Sequence, residues 1–182
     1  MFNDLSHESI RPVDWNKIED PVDKDAWDKL TTNFWLPEKV PLASDIPSWK
    51  TLTEDEQETY LRVFAGLTLL DTVQGVVGAP SIMKHAMTPH EESVLCNISF
   101  MEAVHAKSYS SIFQTIATTP EINLAFSWSE TNKHMQYKIR RIMEYYEGNE
   151  DIGKRAASVI LESFLFFSGF FYAFHMAARG KM

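Results

Sequence analysis

The stretch that most constrains this chain is AASVILESFLFFSGFFYAF, residues 156–174. It is long enough to span a bilayer, and it is apolar on nearly every side. Glu162 lies well inside it. An acid at that depth in lipid costs about 3 kcal/mol or more. A fully buried helix at the centre of a soluble bundle suits the sequence better. There the carboxylate needs a charge partner, a hydrogen-bond network or a metal. At 182 residues and 45% hydrophobic, the chain can build one domain with a sizeable core. The net charge of −8 speaks against a basic nucleic-acid-binding face. Neither a nucleic-acid partner nor a membrane is expected. Cys96, the one cysteine, rules out an intrachain disulfide and a cysteine-based metal site. It fits a reducing cytosol. Residues 1–10 lack the basic and apolar runs of a secretory leader.

In chain order, residues 1–52 read as an irregular arm with short helical pieces, because prolines at 12, 21, 37, 41 and 47 interrupt longer helix. Four tryptophans, Trp15, Trp27, Trp35 and Trp49, are placed to pin this arm to a helical body. A first long helix is predicted over 53–78, opened by a Thr53/Glu56 capping box. Asp71 interrupts its apolar pattern, and its helical neighbours Leu67, Gln74 and Gly78 form a mixed stripe. Periodicity therefore leaves Asp71 open between water and core. A second helix runs from the Thr88 cap, with Pro89 first and Glu91 closing the box, to about Ile116. Cys96 reads there as a small core residue. A third helix spans 120–146 with one polar, basic face that includes His134, and a fourth spans 152–178, with Gly180 as its C-cap. The fourth is apolar nearly all round and belongs at the centre. No strand pattern, repeat or phosphate loop interrupts this all-α reading.

On the second helix, Glu102 and His105 form a Glu-x-x-His pair, three residues apart and so on one face. Tyr109 shares that face one turn on. Such a pair alone is common on wet helix surfaces. Asp71 and Glu162 add an inward acid from each of two further long helices. Ferritin-like dinuclear sites use one acid from each of two helices and a Glu-x-x-His from each of the other two. Oxygen-rich ligation with imidazole suits iron or manganese. Asp71, Glu102, His105 and Glu162 thus supply four of six expected ligands, and a second Glu-x-x-His is not found in this sequence.

These motifs carry a family resemblance over essentially the whole chain. Asn-Phe-Trp-Leu-Pro-Glu at 33–38, Leu-Thr-Leu-Leu-Asp-Thr at 67–72, Phe-Met-Glu-Ala-Val-His-Ala-Lys-Ser-Tyr-Ser at 100–110 and Leu-Glu-Ser-Phe-Leu-Phe at 161–166 resemble the small, radical-bearing subunit of class Ib ribonucleotide reductase. The resemblance implies a ferritin-like bundle in which Asp71, Glu102, His105 and Glu162 bind a dinuclear manganese or iron centre. It makes Tyr109 the tyrosine oxidised to a stable radical and Trp35 an aromatic relay. It makes Phe166 and Phe170 the apolar pocket around the radical, and their spacing of four and eight from Glu162 puts them on its helical face. The implied partners are the large catalytic subunit, a second small-subunit chain (a homodimer or a complementary fragment) and a flavodoxin-like activator. Another branch of the family replaces metal-binding glutamates, and Glu102 and Glu162 argue against it.

Family members continue with another long helix, the second Glu-x-x-His and a docking tail. The expectation is a truncated or split form, completed by another segment. The alternatives are a non-catalytic helical fragment that needs a second chain, and another dinuclear carboxylate protein such as an oxidase.

Overall fold

The computed structural model describes residues 12–181, and every regular element among them is helical. Residues 1–11 of the expected arm, and Met182, lie outside the described residues. The arm is more regular than its prolines suggest. Pro21 opens α1 (Pro21–Thr32) instead of breaking a helix, and the Asp20 carboxylate accepts the Val22 amide as its cap. Only beyond α1 do the prolines confine the chain to single turns, Pro37–Lys39, Leu42–Asp45 and α2 (Ile46–Trp49). The tryptophans do pin the arm. Trp15 packs against Trp27 and against His90, and buried Trp49 packs edge-on to Tyr60.

α3 (Glu54–Val73) begins with the expected capping box, in which Thr53 and Glu56 exchange amide bonds of 2.9 and 3.2 Å. It does not stop at Gly78. A π-helical turn, Gln74–Gly78, leads into α4 (Ala79–Met83), and Pro80 enters in the first turn after the widened ladder. α5 (Pro89–Ile116) starts at Thr88 as expected, but Glu91 does not close a box. Its carboxylate instead accepts the amide of Met87 at 2.7 Å. Cys96 is exposed on α5 and not a core residue, because its helical phase turns it away from buried Val94 and Leu95.

The expected third helix is two. α6 (Thr119–Thr131) and α7 (Lys133–Tyr146) meet at Asn132, whose extended backbone breaks the ladder. Its side-chain oxygen accepts the amides of His134 and Met135, both at 3.1 Å, and so restarts the helix. The last helical run is α8 (Asp151–Ile160), a second π-helical turn Leu161–Leu165, and α9 (Phe166–Ala178). Gly180, at φ 67°, ends it in the left-handed conformation. The Gly180 amide bonds Ala177 and the Lys181 amide bonds Met176, each at 2.9 Å.

The centre belongs to α3, which packs against α5, α6 and α9. The helical runs Glu54–Met83 and Asp151–Ala178 both have the length and hydropathy to cross a membrane, but they are placed differently. The most apolar window of the first is 56% buried, that of the second 17%. The expected fully buried central helix is therefore a flank in this chain. One face packs on α3, while Phe164, Phe167, Phe171 and Phe174 are exposed on the other. A helix that is apolar all round signals burial only when something lies across each face, and that depends on more than its own sequence.

Candidate metal centre

The widened turn of the first run brings α3 close to α5. A Cβ on Gly75 would stand 2.8 Å from the Cβ of Glu102, so only glycine lets the helices approach this far. The Ser99 hydroxyl donates to the Gly75 carbonyl at 2.5 Å and stitches the two helices at this level. Asp71, which periodicity left open, is buried there at 2% exposure, and Glu102 at 5%. Nδ1 of His105 lies 3.3 Å from Glu102 Oε2 and 4.0 Å from Asp71 Oδ1. One ligand atom from each of these three residues lies within 4.8 Å of the others.

Glu162 is outside that tight trio but lines the same cavity of about 470 Å³ as Glu102 and His105. The structure thus gathers the three acids and one imidazole singled out in the sequence into one region, Asp71, Glu102 and His105 tightly and Glu162 across the cavity. Trp35 also borders it, its ring stacked on the His105 imidazole at 6.1 Å between centroids. An ion pair between Lys107 and Glu38 fastens the 37–39 turn to α5 beside it.

Tyr109 lies one turn further along α5, with its ring edge-on to Phe64 at 5.3 Å. Phe166 is core, and Phe170 and Tyr109 are half-buried against the same apolar cluster. A spacing of four does not carry Phe166 onto the face of Glu162. The second π-turn adds a residue to its helical turn, so the buried stripe jumps five, from Leu161 to Phe166. Phe166 therefore continues the stripe of Leu161, not that of Glu162.

The electrostatics are those of crowded acids. The Asp71 carboxyl is pushed well above the usual carboxylate range, first by burial and then by the charges of Glu102 and Glu162. Glu162 is raised too, again first by burial and then by Glu102, with His105 and Gln74 opposing. Oδ2 of Asp71 is buried without a hydrogen-bond partner. A buried carboxylate oxygen left free, beside two further acids and an imidazole, is what a divalent cation satisfies. The oxygen-rich donor set with one nitrogen fits manganese or iron.

Several residues here escaped the sequence reading. Gln74 and Ser158 line the cavity, as do Lys29 and Leu30 of α1 and Asn33, which caps it. Gln74 leaves a trace in the sequence as a polar residue three positions past Asp71, and Asn33 as the first residue of the 33–38 motif. The α1 residues come from a segment that composition marks as surface arm.

Comparison with known proteins agrees with this geometry. The family model described as "Ribonucleotide reductase, small chain" matches residues 12–182. The chain is 57% identical to ribonucleoside-diphosphate reductase 2 subunit beta of Escherichia coli K12 over 95% of its length and 54% of that protein's. It is 54% identical to the ribonucleoside-diphosphate reductase subunit beta of Mycobacterium leprae, over 95% of this chain and 53% of the relative. Among solved structures, dimanganese(II)-NrdF of Streptococcus sanguinis superposes with a TM-score of 0.92 at 46% identity, covering 95% of this chain and 61% of that one. The chain spans about half the length of the curated relatives it matches.

Proposed function

The chain belongs to the ribonucleotide reductase small-chain family, and from that premise we propose that it is a radical-bearing small subunit of the class Ib type. Asp71, Glu102, His105 and Glu162 are its ligands to a dinuclear manganese or iron centre. When bound, that centre supplies the one-electron oxidising power that a phenol requires. Burial, reinforced by the charges of Asp71 and Glu102, raises the pKa of Tyr109 and keeps its hydroxyl protonated. Oxidation of Tyr109 therefore removes an electron and the phenolic proton together. Phe64 covers the ring edge-on, and Phe166 and Phe170 belong to the apolar cluster that keeps water and reductants away. Trp35, stacked on His105 and 38% exposed, is the relay by which an electron reaches Tyr109 from the large subunit. Reduction of ribonucleotides to deoxyribonucleotides occurs on that partner, in the cytoplasm.

The observation that carries this reading is the convergence of Asp71, Glu102 and His105 on one point, with Tyr109 a helical turn away. Manganese draws support from the likeness to a dimanganese protein, and iron fits the same donors. A flavodoxin-like activator and a second small-subunit chain complete the assembly. The exposed phenylalanines of α9 also favour the reading in which a further chain or segment covers that flank. Electron paramagnetic resonance tests the proposal. The metal-loaded, oxidised protein should show a tyrosyl radical, and Tyr109→Phe should abolish it while leaving metal content unchanged. A radical that survives this substitution would assign the role to another tyrosine.

A further inference from the structure

Gln74 has no part in the chemistry described so far, yet it is among the most deeply buried polar residues, at 1% exposure. A buried amide needs partners at both ends. Its Oε1 accepts the hydroxyl of Tyr146, itself 2% exposed, at 2.5 Å. Its Nε2 donates to Ser158 Oγ at 2.7 Å. Ser158 is on α8, four residues before Glu162.

The Tyr146 hydroxyl fixes which way the amide points. Its proton occupies the oxygen end, so the NH₂ end is turned toward α8 and the π-turn that follows. One N–H is taken by Ser158. The amide, Ser158 and the Glu162 carboxylate line the same cavity, and the amide favours the ionised form of Glu162. A methyl group on Gly78 would collide with Gln74 Oε1 and the Tyr146 ring, so the small residue at this point keeps the clamp in place.

Glu162 needs such a partner more than the other acids do. Asp71 and Glu102 are walled in by α3 and α5, whereas Glu162 is half-buried on a flank. We infer that Gln74, clamped by Tyr146 and Ser158, is a positioning residue that holds Glu162 toward the metal centre. The inference rests on Glu162 being a ligand, as proposed above. A ligand oriented in advance loses less freedom on binding.

The test is Mn²⁺ binding by the whole chain, followed as loss of the free-ion paramagnetic resonance signal. Wild type is compared with Gln74→Leu, Tyr146→Phe, Glu162→Gln, and each of the first two combined with Glu162→Gln. Circular dichroism verifies that each variant folds. Gln74→Leu should weaken binding roughly tenfold or more, as loss of a partner behind a ligand does, and Tyr146→Phe should weaken it less. Neither should have any further effect once Glu162 is glutamine, because the clamp acts through that carboxylate. If Gln74→Leu fails to fold, the Tyr146→Phe pair carries the same comparison. Unchanged binding in both clamp variants, with Glu162→Gln impaired, overturns the inference and leaves the ligand reading standing. A clamp effect that persists in the Glu162→Gln background also overturns it, since a purely structural role would do that. Binding by Glu162→Gln equal to wild type overturns the ligand reading, and the inference with it.

Discussion

The two sides of the cavity are built differently. On one side, α3 and α5 press together at Gly75 and bury Asp71 and Glu102 almost completely. On the other, Glu162 sits in a π-turn of a flanking helix whose outer phenylalanines are 61–69% exposed. The first side needs nothing beyond its own packing to be rigid. The second is held to the site by Gln74 and Ser158 and to the bundle through α3. The flanking run is the more apolar of the two membrane-length runs yet the less buried, so hydrophobicity does not make the difference. What differs is whether another element lies across the helix.

Core truncation is where the two sides should part most widely. Phe113, a fully buried residue of α5, should cost about 3–5 kcal/mol when cut to alanine. Phe167→Ala on the open flank should stay within about 0.5 kcal/mol. Urea denaturation of the two variants measures this directly, and similar losses would dissolve the comparison. Gly75→Ala comes next. The added methyl group meets Glu102, and overpacking of this kind costs about 1–3 kcal/mol. Mn²⁺ affinity should fall with it, because Glu102 must move.

A subtler effect follows from the raised carboxyls. Asp71 and Glu162 hold their protons more tightly in the folded chain than in the unfolded one. Their contribution is therefore fully present below the ordinary carboxylate pKa and is lost as pH rises through their folded values. Metal-free protein should lose stability on going from pH 5 toward neutrality, and added Mn²⁺ should restore it. Asp71→Asn should stabilise the metal-free chain above neutral pH while weakening metal binding. Melting temperatures across pH, with and without Mn²⁺, check both signs. Glu56 provides the opposite case and the smallest effect. Lys181 and the Thr53 amide, with Arg179 nearby, hold its pKa down to about 2. What it adds is present above the ordinary glutamate pKa and fades as pH falls from there to about 2, so Glu56→Gln should alter only the acid limb of the melting curve.

Much of this could be read from the residues. Glu102 and His105 share a helical face at any realistic geometry, and the Thr53 and Thr88 caps and Gly180 mark helix ends by local chemistry alone. Asp71 was undecided because its stripe mixes Leu67 with Gln74 and Gly78, and only the approach of α5 settles which way it faces. The two π-turns were not legible, since one extra residue in a turn leaves no change in composition. They nevertheless decide where Gln74 points and which stripe Phe166 continues. Asn132 broke a helix that hydrophobic pattern would carry through, because its side chain competes for backbone amides at a single position. The exposure of α9 is not legible in its sequence for another reason. Burial is a property of pairs of surfaces, and one helix specifies only its own.

The central claim is that Asp71, Glu102, His105 and Glu162 form one metal site beside Tyr109. Anomalous diffraction at the manganese edge from crystals grown with Mn²⁺ tests it most directly. Peaks within coordination distance of these four side chains, and lost in Glu102→Gln, are the predicted result. Manganese bound elsewhere, or undiminished in that variant, would contradict it.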